Sequence, residues 1–161
     1  MIGTMALICE YFAAPTDAVA AQTIDWTGGP SRPPTAAGET AAPGRLATVE
    51  MPGVEPVVML RSLEAILTDI PLVDLPKRST APVAMRDAGE RLILPVSPDL
   101  LAALAGSDDA RLTRAAWVWA QTPEFAGRAD PIWLGERLSL LAALAREARR
   151  RDEHVYCWMS L

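Results

Sequence analysis

The stretch HVYCWMSL, residues 154–161, decides the fold class that the sequence predicts. It combines β-branched and aromatic residues without helical spacing, a composition typical of a β-strand. A strand in the last residues of a chain avoids fraying only where it pairs within a sheet. Residues 5–12, MALICEYF, have the same character and offer a matching partner. We therefore expect the first and last strands to lie side by side in one sheet.

The region between these two strands is predicted to be mostly helical. Residues 16–21 fit a short helix, and residues 59–70 repeat apolar side chains at helical spacing behind Pro56, which suits a first helical turn. Residues 91–96, RLILPV, are short, apolar and bounded by polar residues, as in a strand. Because proline cannot donate to a sheet ladder, Pro95 indicates that this strand lies at the sheet edge.

Three further helices are indicated by their capping residues. Ser97, Ser107 and Asp130 each precede a helical apolar pattern, and their side chains can accept from N–H groups of the first turn. The predicted fold is therefore α+β, a small sheet including the N- and C-terminal strands with helices packed on one face. A length of 161 residues suits a single domain. Its Pro- and Gly-rich segment at about residues 27–55 is expected to be irregular.

Charge and hydropathy narrow the classes of partner. The chain has 20 acidic and 15 basic residues and a formal net charge of −5, which disfavours nucleic acid and favours a basic protein partner. No stretch approaches the roughly 18 apolar residues of a membrane span. The N-terminal apolar run lacks the positive region of a signal peptide. We therefore expect a soluble, cytoplasmic protein that binds neither nucleic acid nor membrane.

The cysteines do not indicate a metal site. Cys9 and Cys157 lack zinc-ligand spacing, and His154 is the only histidine. Because side chains alternate along a strand, His154 and Cys157 are expected on opposite faces. We predict two reduced core cysteines, no metal and no cofactor.

The paired terminal strands form the best candidate ligand pocket. Glu10 is a carboxylate within an apolar strand, and His154, Tyr156 and Trp158 share one face of the last strand. If the strands are neighbours, Glu10 is expected to face Tyr156 and His154. Glu10 is then either a general base or ligand anchor, or a half-exposed structural carboxylate that accepts from Tyr156 or from a backbone N–H. We favour the structural interpretation.

Trp117 is the candidate contact for a protein partner. It stands two positions before Trp119, so it points away from the apolar stripe of its predicted helix. Either the proline-rich segment covers it, which we favour, or it is exposed. An exposed tryptophan is typical of a binding hot spot.

The order of elements along the chain carries a family resemblance. A first strand ends in Tyr11 and Phe12, a helix precedes a proline-broken loop, and a long helix runs into a terminal strand. This layout resembles the uncharacterised bacterial family typified by YfbM. The segment from Pro30 to Pro56 departs from that pattern. The resemblance implies an α+β fold and supplies no established activity.

Two classes of function remain open. No phosphate-binding glycine loop, zinc-protease motif or nucleophile elbow occurs in the sequence. The favoured hypothesis is a non-catalytic interaction protein, such as an inhibitor, an immunity-type protein or a regulatory partner. The alternative is an enzyme or small-ligand binder with its pocket near Glu10, His154 and Tyr156.

Overall fold

The computed structural model describes residues 6–32 and 46–161, in which five strands form one antiparallel sheet. The strands are β1 (Ile8–Ala14), β2 (Thr48–Glu50), β3 (Ala84–Arg86), β4 (Arg91–Pro95) and β5 (His154–Ser160), arranged in the order β2-β1-β5-β4-β3. The helices are α1 (Asp17–Ala21), α2 (Met59–Thr68), α3 (Pro98–Ala105), α4 (Asp109–Trp119) and α5 (Pro131–Arg150). The predicted α+β class is confirmed.

The central strand of the sheet is β5, which confirms that the first and last strands are neighbours. It pairs with β1 along its whole length, with Tyr11 opposite Cys157 and Phe12 opposite Tyr156. On its other side it pairs with β4. Val155 and Tyr156 are fully buried, because the sheet is covered on both faces. β5 therefore pairs with a strand on each side, and both of its faces are covered by other parts of the protein.

The larger core lies between the sheet and the helices α2 to α5. One sheet face contributes Tyr11, Val155 and Cys157, and α5 supplies a stripe of buried leucines and alanines. Trp119 of α4 is fully buried and donates from Nε1 to the Met59 carbonyl at 3.0 Å, which ties α4 to α2. The helices α2 to α5 lie on one face of the sheet, as predicted, whereas the short helix α1 lies on the other.

A smaller core covers the opposite face of the sheet. Helix α1 and the 3-10 turn Gln22–Asp25 pack there against four fully or almost fully buried side chains. These are Phe12, Ile93, Tyr156 and Trp158. This second layer contributes the buried side chains of Ala20 and Ile24, and individual hydrogen bonds, described below, add to these apolar contacts.

The prediction that β4 lies at the sheet edge is wrong. β4 pairs with β5 on one side and with β3 on the other. β3 extends only from Ala84 to Arg86, opposite residues 91–93. Pro95 lies beyond the end of β3, so no neighbouring strand requires the N–H that proline lacks.

The segment predicted to be irregular contains a strand. β2 lies within it and pairs with β1, with Val49 opposite Tyr11. Three residues are too few to produce a recognisable alternating pattern, which is why the sequence does not indicate this strand. Residues 33–45 of the segment lie outside the described residues.

The helix caps match the sequence in part. Ser97 and Asp130 accept from first-turn N–H groups of α3 and α5, as predicted. For α4 the capping residue is Asp108, not Ser107, whose hydroxyl donates instead to the Ala103 carbonyl at 2.6 Å. The helix behind Pro56 begins only at Met59, because the Glu55 carboxylate accepts from the N–H groups of residues 57–59. No helix in the described ranges is both long and apolar enough to cross a membrane.

Candidate functional site

The Glu10 carboxylate is buried under the loop that follows the 3-10 turn Gln22–Asp25 and is only 5 % exposed. Its Oε1 accepts from the Ser31 hydroxyl at 2.7 Å, and its Oε2 accepts from the Ser31 backbone N–H at 3.1 Å. The predicted backbone N–H partner is therefore present, but the predicted half exposure is wrong. Both oxygens are occupied by the loop that covers the sheet, which gives Glu10 a structural task.

The loop over Glu10 is shaped by a glycine. Gly29 has a φ of +75°, and a Cβ at this position would lie 2.5 Å from Glu10 Oε2. Its N–H donates to the Trp26 carbonyl at 2.8 Å, and its carbonyl accepts from the Arg32 N–H at 3.0 Å. These two turns place Ser31 directly over the carboxylate. Only glycine fits this position, because both the left-handed backbone and the close approach exclude a side chain.

The Tyr156 hydroxyl does not reach Glu10. In the sheet Tyr156 stands opposite Phe12, and its hydroxyl donates to Asp17 Oδ1 of α1 at 2.6 Å. Burial, and then the hydrogen bond to Asp17, raise the pKa of Tyr156 far above that of a free phenol. The phenol thus stays protonated at physiological pH and fastens α1 to the sheet. The predicted hydrogen bond between Glu10 and Tyr156 is wrong.

His154 lies at the far end of the same strand. It is exposed and stands opposite Ala14, whereas Glu10 stands opposite Trp158. Four residues along a strand correspond to about 13 Å, which is too far for hydrogen bonding between Glu10 and His154. The prediction that Glu10 lies opposite His154 is therefore wrong. The prediction that both side chains lie on the same face of the sheet is correct. No acid–base pair forms from these two residues.

Trp158 is held in place by the second layer. Its Nε1 donates to the Thr23 carbonyl at 3.1 Å, and the Arg91 guanidinium carbon lies 5.8 Å from the centroid of its ring. Arg91 also donates to the Ile24 carbonyl at 3.0 Å. Trp158 and Glu10 both line a cavity of about 350 Å³ at the N-terminal end of β1, whereas His154 and Tyr156 do not line it. The structure thus joins two of the four predicted pocket residues.

The two cysteines lie on the helical face of the sheet, as expected. Cys9 and Cys157 are both free and buried. Burial, and then the proximity of Cys9, raise the pKa of the Cys157 thiol, which disfavours a reactive thiolate. Across residues 6–32 and 46–161, no three His, Cys, Asp or Glu side chains cluster as a metal site would require.

Trp117 is the most exposed tryptophan of the chain, at 52 %. The neighbouring Val118 is equally open. Part of the proline-rich segment that was expected to cover Trp117 lies outside the described residues. Among the described residues Trp117 is exposed on α4, which is the second of the two arrangements that the sequence allows.

One buried carboxylate was not singled out from the sequence. Glu64 lies on α2 and is only 3 % exposed. A signal was present, since Glu64 follows Leu60 by four positions and precedes Leu67 by three, on the apolar face of the helix. A carboxylate on such a face is unusual because its burial is costly.

Comparisons with known proteins give no family for this chain. It matches no protein-family model, no curated protein and no solved structure. The resemblance to the YfbM family stays a prediction that rests on the order of the elements.

Replacing Glu10 tests whether its role is structural. Glu10→Gln keeps an oxygen for the Ser31 N–H and places an amide beside the Ser31 hydroxyl, which can accept instead of donating. We expect a loss of about 1–2 kcal/mol in the free energy of unfolding, because a charged acceptor becomes neutral. Urea unfolding measures this loss. An unchanged stability, with the loop from residue 26 to 32 still ordered in amide exchange, would contradict the structural role.

Proposed function

We propose that this protein is a non-catalytic protein-interaction module of the inhibitor, immunity or regulatory type, and that α4 carries its contact surface. The observation that carries the proposal is the exposure of Trp117. Large aromatic side chains on a surface are costly to leave in water and are enriched among residues that dominate binding energies. No arrangement of Glu10, His154 and Tyr156 competes with this, because the three do not meet.

The surroundings of Trp117 support a contact that spans two helices. A Cβ placed on Gly135 of α5 would lie 3.7 Å from the Ala116 Cβ, so α4 and α5 pack closely there. Trp117 follows Ala116 directly, and Ile132, which is 66 % exposed, precedes Gly135 by one helical turn. Two exposed apolar side chains thus flank the contact between the helices. We call Trp117 and Ile132 the α4–α5 patch.

The charge of the chain favours a basic partner. The formal net charge is −5, and Glu136 is exposed on α5 immediately after Gly135. A negative surface steers the approach of a positive partner and contributes to its selection. Binding by such a partner should therefore weaken as the salt concentration rises.

Affinity capture followed by reconstitution tests the proposal. The wild-type protein is used to capture partners from lysate of its source organism, and the enriched protein is then purified and titrated calorimetrically. We expect Trp117→Ser to weaken binding by at least about 2 kcal/mol without changing the melting temperature, as for a hot spot that is exposed in the free protein.

A matched control uses another exposed apolar residue. Val73 is 90 % exposed and lies in a 3-10 turn after α2, so Val73→Ser removes a surface side chain away from the α4–α5 patch. This variant should bind like the wild type. Equal binding by the Trp117→Ser and Val73→Ser variants would refute the patch as the contact surface. An affinity that does not depend on salt would refute the basic partner.

A further inference from the structure

A small cavity lies between α2, the end of β4 and the beginning of α3. Its volume is about 130 Å³, many times the roughly 10–15 Å³ that one water requires. Its walls are largely apolar and include Leu60, Leu94, Val96 and Leu100. The buried carboxylate of Glu64 also lines it. A charged group in an apolar cavity is a recurrent feature of ligand sites.

The Glu64 carboxylate is only partly satisfied by the protein. Its Oε1 accepts from the Ser97 hydroxyl at 3.1 Å. Its Oε2 receives no hydrogen bond from any described residue, and no Arg, Lys or His nitrogen in those ranges lies within 4.0 Å of either oxygen. An ionised carboxylate normally accepts several hydrogen bonds, so this group retains unused capacity for a donor.

The Glu64 carboxylate lies beside the N-terminus of α3. Ser97 is the N-cap of α3, and its hydroxyl also accepts from the Leu100 N–H at 3.4 Å. The positive end of a helix dipole stabilises a nearby negative charge. The Ser97 hydroxyl thus connects the Glu64 carboxylate to the first turn of α3.

The two arginines that line the cavity are engaged elsewhere. Arg61 donates to the Leu75 and Pro76 carbonyls, at 3.1 Å in each case. Arg78 forms an ion pair with Asp99. Neither guanidinium lies within 4.0 Å of a Glu64 oxygen, so Glu64 Oε2 remains free to accept from a ligand in a cavity whose lining is mainly apolar.

We propose that this cavity binds a small organic cation, a primary ammonium that carries a short apolar chain. The ammonium has three N–H donors and no acceptor, which matches a carboxylate oxygen that accepts only. The apolar chain would contact Leu60, Leu94 and Leu100, where it is removed from water. The site belongs to α2, α3 and β4 and is separate from the α4–α5 patch, so it adds a ligand to the proposed partner binding.

Titration of the ¹⁵N-labelled protein followed by NMR tests the ligand class. The probes are n-butylammonium chloride, 1-butanol, sodium butyrate and potassium chloride, all at matched ionic strength. We expect n-butylammonium to shift the amide signals of Leu60, Val96 and Leu100 and to bind about tenfold more tightly than 1-butanol. That ratio is expected for one charge-assisted hydrogen bond. Butyrate should not bind.

Two variants, each of which removes one negative charge, isolate the contribution of the Glu64 carboxylate to binding. Glu64→Gln keeps an oxygen for the Ser97 hydroxyl but removes the charge, so its affinity for n-butylammonium should fall about tenfold, to that for 1-butanol. Glu136→Gln removes an exposed carboxylate on α5 and should bind like the wild type. The preference for ammonium over alcohol is measured on the wild-type protein and remains informative even if Glu64→Gln does not fold.

Several outcomes would overturn the proposal. These are equal affinities for n-butylammonium and 1-butanol, the absence of shifts at the cavity amides, and an undiminished affinity in a folded Glu64→Gln variant. Shifts produced equally by potassium chloride would assign the site to an inorganic cation and would also reject the organic ligand. None of these outcomes depends on Trp117, so failure here is distinguishable from failure of the proposed partner binding.

Discussion

Deletion of residues 155–161 will leave a chain that does not fold cooperatively. These residues form nearly all of β5, the central strand, and their removal leaves β1 and β4 without a common neighbour. Four almost completely buried side chains disappear as well, namely Val155, Tyr156, Cys157 and Trp158. At about 2 kcal/mol for each large side chain, the loss approaches the whole stability of about 5–15 kcal/mol of a typical domain. Calorimetry should show no cooperative thermal transition.

A shorter truncation provides the control. Removal of Leu161 alone eliminates an exposed residue beyond β5 and one backbone hydrogen bond, from its N–H to the Glu90 carbonyl. That variant should melt close to the parent protein. If the chain lacking residues 155–161 also melted cooperatively near the parent's temperature, the central role of β5 would be disproved.

The second large effect is expected for Gly29→Ala. The backbone at this position is left-handed, and this conformation costs about 1–2 kcal/mol for a residue with a side chain. The added Cβ would also collide with the Glu10 carboxylate, whose oxygens hold the Ser31 N–H and hydroxyl. Displacing a buried carboxylate from its donors adds about 2–3 kcal/mol, so we expect a total loss of about 3–5 kcal/mol in unfolding free energy.

The chain contains a matched control for this substitution. Gly53 has a φ of +76°, almost the same as that of Gly29, and no atom lies within 4 Å of the place where its Cβ would be. Gly53→Ala should therefore cost only the backbone term of about 1–2 kcal/mol. In a Glu10→Ala background, Gly29→Ala should cost no more than this. Equal costs for the two single substitutions in the wild-type background would show that Glu10 does not restrict the loop.

Features determined by local sequence were predictable. The apolar and aromatic composition of residues 154–161 identified a strand, and the need of such a strand for a partner placed it beside β1. Ser97 and Asp130 identified two helix starts, because capping involves groups within three residues of each other. These inferences succeeded because each cause lies close in sequence to its effect.

Features determined by distant residues were not predictable in the same way. Glu10 is satisfied by Ser31, which lies 21 positions away in a loop with no regular pattern. The alternation of side chains assigned the correct faces to Glu10, Tyr156 and His154, but not the register between the strands. A register that places Glu10 opposite Trp158 separates Glu10 from His154, so that only Glu10 and Trp158 of the four predicted pocket residues line the same cavity.

The lengths of the outer strands have a consequence for self-association. The edge strands of the described sheet, β2 and β3, have three residues each. The strands of seven residues, β1 and β5, lie inside the sheet and pair on both sides. A long edge strand exposes a row of unpaired N–H and C=O groups with which a strand of another molecule can pair. Short edge strands are a common protection against such aggregation. We therefore expect concentrated solutions of the folded protein to resist fibril formation, since the segments with the greatest tendency to form β-structure are accessible only after unfolding.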